Sequence, residues 1–159
     1  MDEFHALYAK YAPDVFRFSL YLAGNREDAE DITSETFVRV WTAPGEIRMA
    51  TVKGYLLTIA RNLFLQGLRR KSRHVPLDME LRDPAAGPLA QVEADSELEA
   101  VIARLQELSE VDRAALIMRA AGDMPYEEIA RALKISLASV KVKIHRARLK
   151  LAGLPESEP

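Results

Sequence analysis

Cysteine is absent from this 159-residue chain, which excludes a disulfide framework and any thiolate metal site. Histidine is nearly as scarce. His5, His74 and His145 lie far apart with no carboxylate spacing of a zinc-binding kind, so neither a metal nor another cofactor is expected. No apolar run is long enough to cross a bilayer. The opening MDEFHALYAKYAPDVF is acidic and interrupted by polar residues, unlike a secretory signal, and a soluble cytoplasmic protein is the expectation. Paired catalytic carboxylates, a nucleophile beside its base and a phosphate-cradling loop are also missing, which points away from an enzyme.

The most informative absence is of acid. From Ile129 to Pro155 there are seven Lys or Arg and no Asp or Glu. Between Ile47 and Leu77 there are again seven and none. A formal net charge of −2 hides this pattern: residues 1–75 hold 11 bases against 9 acids, 76–98 hold 1 against 6, and 99–159 hold 10 against 9. Counterion release from nucleic acid depends on the cations that meet the phosphates, so the patches outweigh the total.

What is present is helical pattern on an apolar content of 48%. Pro125–Leu151 reads as two short helices joined by a tight turn. Pro125 suits a first helical position, and Tyr126, Ile129, Ala130 and Leu133 share one face. Ser136 stands where an N-cap opens the next helix. There Leu137, Val140, Ile144, Ala147 and Leu151 form an apolar stripe, opposite Ala138, Val142, His145 and Arg146, with Lys141, Lys143, Arg148 and Lys150 flanking. A cationic face behind a short first helix suits a DNA major groove. The plainer alternative is a solvated basic face on a structural hairpin.

Upstream, residues 2–23 read as two short aromatic-rich core helices, Pro13 beginning the second and Gly24-Asn25 ending it. In the next helix, Arg26–Thr42, the stripe Ala29, Ile32, Thr33, Thr36, Phe37, Val40 and Trp41 is expected inside. Asp28, Asp31, Ser34, Glu35 and Val38 are expected outside. Early acids also suit the helix dipole, but an apolar Val38 framed by carboxylates fits a docking patch for a basic partner. The Pro-Gly loop 43–53 precedes a helix over 52–71, apolar on most sides, with a polar edge of Thr58, Arg61, Asn62, Leu65 and Arg69 running into Arg70, Lys71 and Arg73. That edge suits a nucleic-acid strand. Residues 74–96 turn acidic and Pro/Gly-containing, a linker. Two further stripes follow: Leu98, Val101, Ile102, Leu105 and Leu108, then, after a candidate cap at Ser109, Val111, Ala114, Ala115, Ile117 and Met118, with Gly122 as the stop.

DAEDITSETFVRVW (28–41), GYLLTIARNLFLQGLRRKSR (54–73) and, beyond the acidic linker, YEEIARALKISLASVKVKIHRARLKL (126–151) together resemble an extracytoplasmic-function (ECF, group 4) sigma factor of the sigma-70 family. The likeness covers nearly the whole chain. It implies an all-α fold of two small helical domains: a sigma region 2 bundle over 1–74, a linker over 75–95 and a four-helix sigma region 4 with a helix-turn-helix over 96–154. It implies no catalysis. The implied partners are core RNA polymerase, through its β′ coiled coil and β flap, promoter DNA and an anti-sigma factor.

The same resemblance assigns roles. Asp28, Asp31, Ser34, Glu35 and Val38 would dock on polymerase. Arg48, Lys53, Thr58, Arg61, Asn62, Gln66, Arg69, Arg70 and Arg73 would melt and hold the −10 strand. Ser139, Lys141, Val142, Lys143, His145, Arg146 and Arg148 would meet the −35 duplex, with Lys143 and Arg148 on phosphates and Val142 against a thymine methyl. Four positions depart from the family pattern: Ser34 for Gln, Gln66 for Asp, Tyr55 for Trp, and Lys134 for the Gly of the turn. From the residues alone, a dimeric DNA-binding regulator is the competing class.

Overall fold

The computed structural model describes residues 2–43, 49–73 and 96–153. The linker 75–95 and Arg48 therefore lie outside the described residues, as does the side chain of Arg73. Seven helices and no strand occur among them: α1 Asp2–Ala23, α2 Arg26–Thr42, α3 Val52–Arg73, α4 Ser96–Gln106, α5 Glu110–Ala120, α6 Tyr126–Leu133 and α7 Leu137–Leu151.

Local chemistry sets most of the boundaries. α1 stops at Gly24, whose φ of 89° favours a residue without a Cβ and whose N–H donates to the Leu20 carbonyl at 2.8 Å. Asn25 then caps α2 by accepting the Asp28 N–H at 2.8 Å. Ser109 does the same for α5 through the Asp112 N–H, and Ser136 for α7 through the Ser139 N–H. Pro125 sits one position earlier than expected, as the N-cap of α6.

Two readings are corrected by tertiary packing. Residues 2–23 form one helix, not two, with Pro13 inside it. An interior proline costs about 3 kcal/mol, but α1 packs against α2, α3, α4 and α5, and Val15, Phe18 and Leu22 are fully buried along it. At about 1.5–3 kcal/mol for each large apolar side chain, that burial outweighs the lost hydrogen bond. Trp41 is 52% exposed and Val40 half-buried, so the inner stripe of α2 ends at Phe37. Gly122 lies just past the end of α5, its N–H donating to the Ile117 carbonyl at 3.0 Å, and Asp123 follows in the left-handed region at φ 54°.

α1, α2 and α3 pack side by side, and α4 to α7 form a second group in which α5 is buried nearly all round. The two groups share one continuous apolar core, running from Val15, Phe18 and Leu57 to Met118, Ile129 and Ile144. At the seam, the buried Arg113 guanidinium donates to the carbonyls of Leu22 at 3.0 Å and Leu108 at 2.9 Å. Burial holds its pKa below the ordinary arginine value, with Glu110 opposing that shift.

Candidate functional site

On α2 a single face carries Asp31, Ser34, Glu35 and Val38, all exposed, while Ala29, Ile32, Thr33, Thr36 and Phe37 face the core. Asp28 differs: it is half-buried, accepts from the Asn25 side chain at 2.9 Å and pairs with Lys71 at 3.1 Å. Its first task is to hold the start of α2 and the end of α3 together. Asp31 and Glu35 border a hollow of about 420 Å³ between α2 and α3, whose far wall carries Gln66 and Arg70.

Beside this acidic rim lies an apolar groove the sequence reading missed. Phe4, Tyr8, Ser34, Phe37, Val38 and Trp41 line about 450 Å³ between α1 and α2. Phe4 stacks edge-on to Trp41 at 4.8 Å and Tyr8 to Phe37 at 4.9 Å. Tyr8, Val38 and Trp41 are 45%, 51% and 52% exposed, so aromatics first assigned to the core are at the surface. Their helical spacing matched a buried stripe, yet the residues that line the groove come from α1 and α2 alone.

The expected cationic edge of α3 divides. Asn62, Arg69 and Arg70 are exposed and Gln66 turns toward α2. Lys53 is half-buried, its ammonium 3.9 Å from Asp14. Thr58 is buried, its hydroxyl donating to the Gly54 carbonyl at 2.7 Å. Arg61 is only 9% exposed and donates two hydrogen bonds to the Glu110 carboxylate, at 2.8 and 2.7 Å. Both side chains are therefore buried in this structure, Arg61 against Glu110 of α5.

In the α6–α7 hairpin, Lys134 closes α6 in the left-handed conformation (φ 61°, ψ 45°), where glycine is the easier residue. α7 seats Val140, Ile144 and Ala147 inside and presents Lys141, Val142, His145 and Arg148 outside, with Ser139 half-buried. Arg146 is turned partly inward: it forms a paired hydrogen bond with Asp112 of α5, both at 3.1 Å, and Lys143 stands 3.9 Å from the same carboxylate. α2, α4, α5 and α6 all carry acids in the first turn, but α7 carries none. Its N-terminal end is capped by the Ser136 hydroxyl and carries no negative charge of its own.

α7 thus presents Lys141, His145 and Arg148 outward with no acid of its own, and the α2 face Asp31, Ser34, Glu35 and Val38 stays exposed. The sequence matches the Sigma-70 region 2 family over residues 7–74 and the Sigma-70 region 4 family over residues 98–151. It is 30% identical to the RNA polymerase sigma factor CarQ of Myxococcus xanthus, over 96% of this chain and 89% of that one. It is 37% identical to the ECF sigma factor SigE of Mycolicibacterium smegmatis over 95% of this chain, which spans 61% of that relative's length. The fold superposes, at a TM-score of 0.78 and 22% identity, on the sigma factor RpoE from Bartonella quintana, solved in complex with the anti-sigma factor NepR, over the whole of both chains. This chain belongs to the sigma-70 family of RNA polymerase sigma factors, within its ECF group.

Proposed function

We propose that this protein is a non-catalytic initiation factor that binds core RNA polymerase, places it at a two-part promoter and holds the first melted bases. The observation that supports this most is the coexistence of two separate faces. One is the acid-rimmed ridge Asp31, Ser34, Glu35 and Val38, and the other is the acid-free surface of α7. Sign complementarity guides the ridge to a basic helix of the polymerase, the β′ coiled coil in this family. The groove beside it, floored by Phe37 and rimmed by Tyr8 and Trp41, extends that contact with apolar area.

Lys141, Val142 and His145 meet base edges of the −35 duplex, while Arg148 and Lys143 track phosphates. Arg146 is a positioning residue for α7 through its Asp112 pair. Asn62, Arg69 and Arg70, exposed on α3, serve the −10 strand together with Lys53, Gln66, Arg48 and Arg73, while the buried Arg61 and Thr58 support that face from within. Residues 1–74 and 96–154 act as the two promoter-reading domains, 75–95 as their linker, and an anti-sigma factor is the regulatory partner. No helix among the described residues is long and apolar enough to span a membrane, and we place the protein in the cytoplasm with its polymerase.

The test is co-purification with core polymerase followed by run-off transcription on a promoter library. Transcripts should start downstream of one shared two-part sequence, and DNA protection should require polymerase. Protection of an operator by the protein alone would favour the stand-alone regulator instead.

A further inference from the structure

Three charged side chains near the start of α5 turn to three different neighbours. Glu110 takes Arg61 of α3, Arg113 takes the Leu22 carbonyl at the end of α1, and Asp112 faces α7. Asp112 is 7% exposed, and its own main-chain N–H is held by the Ser109 hydroxyl at 3.2 Å. Its two carboxylate oxygens accept hydrogen bonds from Nε and Nη2 of Arg146, and the Lys143 ammonium lies 3.9 Å away. Since residues 129–155 contain no acid, the negative charge set against these two cations is supplied by another helix.

Residues 143 and 146 stand three apart and form one row along α7, beside the exposed row of Val142 and His145. Anchoring the first row to a fixed carboxylate sets the roll of α7 about its axis, and with it the direction of the second row. The two contacts differ in kind. The Arg146 fork is charge-assisted and geometrically specific, whereas Lys143 is too far for a hydrogen bond and is held by charge alone. A buried pair contributes little net stability, because the cost of taking its charges out of water offsets most of their attraction. What Asp112 does provide is direction and neutralisation.

We infer that Asp112 is a positioning residue that sets promoter specificity: through Arg146 and Lys143 it fixes the roll of the reading helix and restrains two cations from indiscriminate phosphate binding. This rests on the reading of α7 as the −35 face. Non-specific binding to duplex DNA is essentially electrostatic, while sequence is read at base edges. Restraining the cations lowers the first without touching the second, and specificity is the difference between them.

Full-length Asp112→Asn removes the charge while keeping the side chain's size, and Arg146→Lys keeps the charge while removing the fork. Circular dichroism and urea unfolding establish that each variant is folded. Fluorescence anisotropy on a labelled mixed-sequence duplex is read across a salt series. Asp112→Asn should bind it about tenfold more tightly than the parent at low salt, with a slope of log affinity against log salt steeper by about one to two. Arg146→Lys should stay close to the parent in slope. In complex with core polymerase, both variants should lose about tenfold in discrimination between a promoter and its −35-substituted counterparts. A contact that only supports the fold predicts weaker binding to both DNAs at an unchanged slope. That pattern, an unchanged slope in Asp112→Asn, or parent-like −35 discrimination in both variants would overturn the proposal. Should Asp112→Asn fail to fold, Arg146→Lys decides: lost −35 discrimination at a parent-like slope supports the proposal, and retained discrimination overturns it. If neither parent nor variants direct polymerase to a promoter, the reading as an initiation factor fails, and the salt slopes decide by themselves whether Asp112 restrains the cations.

Discussion

At the scale of single residues, partners decide which charged side chains are available. Arg146 and Arg148 are both cations on α7, but Asp112 engages the first and leaves the second exposed. Lys134 shows the opposite case, a residue held in a conformation it does not favour. A left-handed non-glycine residue costs about 1 kcal/mol or slightly more. Lys134→Gly should therefore raise stability by about 1 kcal/mol, seen as a higher urea midpoint at unchanged slope; an unchanged midpoint would mean that the lysine is not strained. The departure from glycine at this turn is visible in the sequence. The Asp112–Arg146 pair is not, because its members lie 34 positions apart with no local pattern joining them.

At the scale of elements, caps were readable and coverage was not. Asn25, Ser109 and Ser136 act through N–H groups three residues away, so sequence carries their signal. Whether an apolar side chain ends up inside depends on neighbours far along the chain as well as near ones. Trp41 and Tyr8 matched core periodicity but line an open groove. Trp41→Ala should cost about 1 kcal/mol of stability through its lost Phe4 contact. It should weaken core-polymerase binding about tenfold or more, measured by fluorescence anisotropy. Affinity unchanged within error would remove the groove from the docking face. The merging of two expected helices into α1 has the same origin: proline's cost is local, and the burial that outweighs it comes from four other helices.

At the scale of the whole molecule, the fold class, both helix groups and the helix-turn-helix were readable from periodicity and motif order, whereas their union was not. The contacts that join them span 77 positions from Thr51 to Glu128, 49 from Arg61 to Glu110 and 91 from Leu22 to Arg113. Arg61, Glu110, Arg113 and Glu128, each taken separately in the sequence, resemble ordinary surface charges. The shared core also explains why polymerase binding and promoter reading must be tested on the intact chain. Without α5 and α6, the ends of α1 and α3 would lose their caps.

The account depends most on the exposed ridge of α2, and one measurement addresses it directly: the affinity of full-length Asp31→Arg/Glu35→Arg for core polymerase, beside that of the parent. Both side chains are exposed, so the fold should survive, while two reversed charges at a docking ridge should weaken binding by about a hundredfold or more and silence promoter-directed transcription. Parent-like affinity in the folded variant would contradict the account, because polymerase would then be held by some other surface.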